Sequence, residues 1–212
     1  MSVSKVEICN YALQAIGDES ILTLSDKTVP AQQCNLRYDS VRRSLLEMGL
    51  WNFAIKRVSL PLSATPPVFD FSHAFTLPSD LLRVIGTDRQ LGVNFGTDPL
   101  FNGYKTIGFG DAYTGKDRYK IESGHLLYDD DVCKIAYIVD LEDTTKFSPL
   151  FVDCLSLFLA SRIAYKITGS RTMERELLDE FYSIMKKEAQ LSDSQQGTVE
   201  RQTQSRFVSV RF

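Results

Sequence analysis

The sequence predicts an α+β protein: a four-helix bundle built from the N- and C-terminal segments, an inserted antiparallel β-rich domain and a flexible C-terminal tail. Three observations predict it. Apolar residues recur at helical spacing in two blocks separated by a long interval, each block carrying its own start and stop signals. Between the blocks the chain turns to β-branched and aromatic residues punctuated by Gly, Pro and Asp. Towards the end Ser, Gln and Thr dominate, a composition that buries too little apolar surface to order itself. The resulting divisions are residues 1–56 (bundle, first part), 57–141 (β-rich insertion), 142–191 (bundle, second part) and 192–212 (flexible tail).

The elements follow in order. Ser4 and Glu7 have the Ser-x-x-Glu form of a capping box, and Val6, Cys9, Leu13 and Ile16 then repeat at helical spacing until Gly17. Asp26 and Thr28 offer caps before Pro30, which suits the first turn of a second helix. There Ala31, Cys34, Tyr38, Val41, Leu45 and Met48 form one stripe, while Arg37, Asp39, Arg42, Arg43 and Glu47 fall mostly off it, and Gly49 ends the helix. Trp51, Phe53 and Ala54 continue as an apolar lid or an exit strand.

In the insertion, residues 58–62 and 74–77 read as strands, and residues 80–85 as the start of a strand or a single helical turn. Residues 86–115 hold many Gly and Asp, which predicts exposed loops with one or two short strands. Residues 118–122 and 125–128 form a hairpin about Ser123 and Gly124, and residues 132–141 are an almost continuous apolar strand. The second helical block opens with Ser148 and Pro149 as cap and first position, and Gly169 stops it. Leu150, Phe151, Cys154, Leu155, Leu157, Phe158, Leu159, Ile163, Ala164 and Ile167 leave almost no polar face, the pattern of a central core helix. A last helix spans about residues 172–191 with Leu177, Phe181, Ile184 and Met185 inward, acids early and Lys186 and Lys187 late, as the helix dipole favours.

Composition narrows the function. A net charge of -3 over 212 residues argues against a general DNA-binding surface, which needs clustered Lys and Arg to displace counterions. Asp153, Arg162 and Lys166 interrupt the most apolar helix, so it does not span a membrane. The N-terminus carries no pattern of an export signal, which points to the cytosol of the producing cell. Cys9, Cys34, Cys133 and Cys154 each sit in an apolar run, so reduced core cysteines are expected rather than a disulfide framework.

Catalytic signals are weak. His73 and His125, the only histidines, lie at no ligand spacing from each other or from a cysteine, and hydrogen-bonded or surface imidazoles are the expectation. Asp129, Asp130 and Asp131 lack the spacing of a calcium loop and read as a solvated turn. Gly108, Phe109 and Gly110 have no following Lys-Ser/Thr pair and make no phosphate loop. The aromatics Phe69, Phe71, Phe75, Phe95, Phe101, Tyr104, Phe109 and Tyr113 could stack sugars or bases; without interleaved Lys and Arg, a second core or an intersubunit surface is favoured. A glycan-binding or glycan-hydrolysing tail component, using acids such as Asp98, Asp111 and Asp117, is the alternative reading. The terminal alternation of Arg206, Phe207, Val208, Val210 and Phe212 suits strand addition to a partner's sheet edge, or to the chain's own insertion.

Several stretches carry a resemblance. ICNYALQAIGDESI, QQCNLRYDSVRRSLLEMGLWNFAIKR, HAFTLPSDLLRV, YKIESGHLLY and KIAYIVDLEDTTKFSPLFVDCLSLFLASRIAYKITGS together, in this order, resemble the tail tubular protein A family, the head-to-tail adaptors of short-tailed bacteriophages. The match covers most of residues 6–191. It implies a non-enzymatic virion protein made in the host cytoplasm, with no cofactor. It further implies a dodecameric ring held between the portal and a nozzle of tail tubular protein B type, through which DNA passes without specific binding. Residues 192–212 are the least securely matched; their docking on the portal rests on the strand-addition argument.

Overall fold

The computed structural model describes residues 3–88 and 118–185. Among them are four α-helices, α1 (Lys5–Ala15), α2 (Val29–Met48), α3 (Pro149–Thr168) and α4 (Arg171–Ile184), and six strands. The strands are β1 (Ile55–Ser59), β2 (His73–Thr76), β3 (Leu81–Thr87), β4 (Lys120–Glu122), β5 (His125–Tyr128) and β6 (Lys134–Val139). They form two antiparallel three-stranded sheets, ordered β1-β6-β3 and β2-β5-β4.

Local signals set the ends of the helices. At α1 the Glu7 amide donates to Ser4 Oγ (3.2 Å) and the Ser4 amide to Glu7 Oε2 (2.6 Å), the reciprocal capping box. Ser148 and Ser170 cap α3 and α4 in the simpler way, accepting from the third amide on. Gly169 (φ 72°) takes the left-handed conformation that ends α3. Thr28 is the cap of α2, and Asp26 instead binds the connector before it. The β4–β5 hairpin turns on Ser123 and Gly124, both with positive φ, the twist that suits a two-residue turn.

The predicted four-helix bundle does not form. Buried residues occupy nearly every side of α3, which acts as a hub: α1, α2 and α4 each pack on it, but they do not complete a ring of equal neighbours. Helix α4 leans chiefly on α3, its buried stripe reduced to Leu177 and Phe181, with Phe181 stacked on Phe158 at 4.5 Å. Helix α2 packs on α3 and also meets β3 and β6. The physical reason lies in β6, whose residues 135–139 are all buried and so demand cover on both faces. The sheet therefore takes a place that the bundle would have given to a helix.

The β-rich part accordingly shares the core instead of projecting from it. Ile135, Tyr137 and Val139 of β6 and Phe75, Leu126 and Tyr128 of the second sheet join the same apolar cluster as α1, α2 and α3. Strand boundaries also differ from expectation, most of all at β1 and β3. β1 begins at Ile55 and ends at Ser59, because a 3-10 turn (Asn52–Ala54) leads straight into it; Leu62 makes only an isolated bridge to Phe75. Residues 81–87 are a strand, pairing with β6 through two irregularities, at Leu81/Arg83 and Val84/Gly86. Trp51 and Phe53 form neither lid nor strand but an aromatic knot, meeting Phe151 edge-on at 4.9 and 5.2 Å.

Candidate assembly surfaces

The orientation of α2 is set by a buried charge. Arg42 follows Tyr38 by four residues and precedes Leu45 by three, so it faces inward, and its side chain is 1% exposed. Its Nη1 donates to Asp140 Oδ1 and to the Leu141 carbonyl, both at 2.6 Å, just beyond β6. Arg43 Nη2 reaches the other oxygen of Asp140, also at 2.6 Å. Two guanidinium groups thus hold one carboxylate and lock helix to strand end. The sequence reading set Arg42 off the buried stripe; its position between Tyr38 and Leu45 was the available signal.

With α2 held this way, its outward face carries apolar side chains. Val29 and Leu36, seven residues apart, are 50% and 69% exposed. Before them Leu22 is 89% exposed, although its backbone is tied down. The Leu22 and Thr23 amides donate to Asp26 Oδ2 at 3.2 and 3.0 Å, and the Thr23 hydroxyl to Asp26 Oδ1 at 2.8 Å. Those bonds, the Thr23 amide first, hold the Asp26 carboxyl below the usual carboxylate range. Asn10 secures the neighbouring residue, bonding both the amide and the carbonyl of Ile21. An apolar side chain on a pinned backbone is presented, not loose.

A second presentation lies in the β-rich part. Val68 and Phe69 are 96% and 75% exposed on the loop before β2. Arg118 Nη2 donates to the Asp70 carbonyl at 2.6 Å while its guanidinium lies 4.8 Å from the Phe71 ring centroid. The Ser72 amide donates to Asp129 Oδ1 at 3.2 Å. Asp70 takes a positive φ of 70°, which Asp accepts more readily than most residues. The acidic run predicted as a solvated turn therefore has a structural task, with Asp131 also 3.0 Å from His73 Nε2.

The remaining chemistry is structural. His125 Nδ1 lies 3.0 Å from the Ser123 carbonyl, within its own hairpin. All four cysteines are free and buried. Burial pushes the Cys133 thiol up to about 12, and a hydrogen bond to Cys34, followed by burial, raises Cys9, so neither supplies a ready thiolate. A shallow groove of about 390 Å³ over β1 and β6 has Arg57, Lys134 and Asp88 at its sides. Among the described residues no cluster of three or more His, Cys, Asp or Glu could hold a metal ion. No helix among them is long and apolar enough to cross a membrane.

Of the aromatics singled out from the sequence, Phe75 is core, Phe71 lies under Arg118 and Phe69 is exposed. Phe95, Phe101, Tyr104, Phe109 and Tyr113, the acids Asp98, Asp111 and Asp117, and the glycine pair Gly108 and Gly110 lie outside the described residues. So do Arg206, Phe207, Val208, Val210 and Phe212, the residues expected to bind a partner. No protein-family model matches the chain, and no curated protein matches it.

Proposed function

We propose that the chain is a structural virion protein, a head-to-tail adaptor of the tail tubular protein A kind, that forms a ring between portal and nozzle and surrounds the DNA ejection channel. The observation that carries this reading is the pair of apolar presentations, Leu22 with Val29 and Leu36 on the helical side, and Val68 with Phe69 on the β-rich side. Each stands on backbone held by hydrogen bonds, as a side chain meant for a partner should. A protein that joins two others needs two such surfaces. The ordered motifs of the resemblance support the same reading.

The mechanism rests on repetition and on delayed ordering. Heterologous contacts between neighbours close into a ring when the rotation closes, a dodecamer in this family, so weak contacts are multiplied. Residues 192–212, with Arg206, Phe207, Val208, Val210 and Phe212 at their end, add to the portal at a cost in conformational entropy. The β-rich side receives the nozzle. A lumen without clustered cations lets the polyanion slide instead of holding it through salt-dependent contacts. Electron microscopy of the chain alone and mixed with the portal protein of the same phage tests this. Rings in the mixture are expected; monomers that ignore the portal would end the adaptor reading.

A further inference from the structure

Two outward helix faces of this chain complement each other. On α2, Val29 and Leu36 are exposed, and the exposed side chains of Arg37 and, just before the helix, Lys27 have no partner among the described residues. The other charges nearby are spoken for: Asp39 pairs with Lys5 at 3.1 Å and Arg43 with Asp140 at 2.6 Å. On α4, Glu176, Asp179 and Glu180 are exposed and equally without partners among the described residues, and Tyr182, three residues after Asp179, is 44% exposed. Arg171 is engaged over the Tyr165 ring at 4.8 Å, and Arg175, four residues before Asp179, is the one other cation among the described residues of the helix, against three exposed acids.

We infer that the outward face of α2 docks on the outward face of α4 of a second copy of this chain, with Leu36 and Val29 against Tyr182 and with Arg37 and Lys27 facing the α4 acids. The inference rests on the ring reading and names its interface. The charges require unlike faces to meet. An α2-on-α2 contact would bring Arg37 and Lys27 of two copies together, and an α4-on-α4 contact would bring six acids together, each costly. Pairing α2 with α4 removes both repulsions and leaves every copy with one free face of each kind. A closed ring or an open filament follows when the two faces of one copy meet two different neighbours; a twofold dimer that used both faces reciprocally would stop the cross-linked ladder at the dimer. Leu177 and Phe181 hold the inner side of α4 against α3, so its outer side is free to meet a neighbour.

The test uses engineered cysteines, because the four native ones are buried. Ser40 and Ser183 are exposed on the two outward faces. The full-length S40C/S183C variant, treated with diamide in solution and after adsorption to the portal, is expected to give a ladder of disulfide-linked species beyond the dimer. Each single variant is expected to give none. Arg37→Glu should lower the cross-linked yield about tenfold, and adding Asp179→Arg should restore it. Circular dichroism checks that every variant is folded. Dimers from either single variant, rings on the portal without a ladder, or no rescue by the charge exchange would overturn the inference while leaving the adaptor reading intact. A ladder in solution with no portal binding would do the reverse.

Discussion

Arg42 Nη1 and Asp140 Oδ1 lie 2.6 Å apart, joining the middle of α2 to the end of β6 across 98 residues of sequence. Both charges are withdrawn from water, and each is tolerated because the other is there. Arg42→Ala should therefore destabilise the protein by about 3–5 kcal/mol, since it leaves Asp140 Oδ1 and the Leu141 carbonyl without their donor and only Arg43 on the carboxylate. Urea denaturation measures this. A loss below about 1 kcal/mol would mean that Arg43 alone satisfies Asp140.

Gly49 is required for space and not for its dihedral angles, since its φ is -112°. A Cβ there would stand 2.5 Å from Trp51 Nε1, the atom that donates to the Leu45 carbonyl at 3.0 Å. Gly49→Ala should cost about 1–3 kcal/mol by pushing the indole aside. Trp51 is the single tryptophan, so a red-shifted emission would report the displacement directly.

The Leu22 connector should be acid-sensitive. Asp26 has a folded pKa below its ordinary 3.8, so its contribution is complete above that value and disappears as pH falls through the lower folded one. Amide resonances of Leu22 and Thr23 followed between pH 6 and pH 2 should move together in the lower part of that range. Asp26→Ala should loosen the connector at neutral pH. Unchanged hydrogen exchange at these two amides would show that the carboxylate does not hold them.

Phe69→Ser should change global stability by less than about 0.5 kcal/mol, because the side chain is already in water. It should nevertheless weaken attachment of the nozzle protein by at least about tenfold. Pull-down of the nozzle by assembled rings measures it; equal capture by the variant would remove this loop from the partner surface.

Deletion of residues 195–212 should leave the thermal transition of the folded part in place and abolish portal attachment. Retained attachment would exclude the strand-addition role of Phe207, Val208, Val210 and Phe212.

Much of the local structure was legible because it is encoded within a few residues. Ser4 with Glu7, Ser148 with Pro149, and Ser123 with Gly124 each mark an element boundary through a hydrogen bond or a dihedral angle made by near neighbours. The all-round apolar character of α3 likewise announced a buried helix, and it is the hub. The exposed surfaces were less legible. Leu22 and Leu36 drew no attention in the sequence, although Leu36 falls off the apolar stripe of α2, and Phe69 stood undistinguished among many aromatics.

By itself, then, the sequence determined which segments become helices, where the first three stop, that a β-rich stretch interrupts them, and that the cysteines sit in apolar runs. Those properties depend on spacing and on short-range hydrogen bonds. Tertiary structure alone decided that α2 shares its packing between α3 and the β1-β6-β3 sheet, that Arg42 goes inside, and that no four-helix bundle forms. These outcomes depend on which faces meet. A strand buried on both sides, β6, competes with helices for the same apolar cover, and only the folded chain settles where that cover goes.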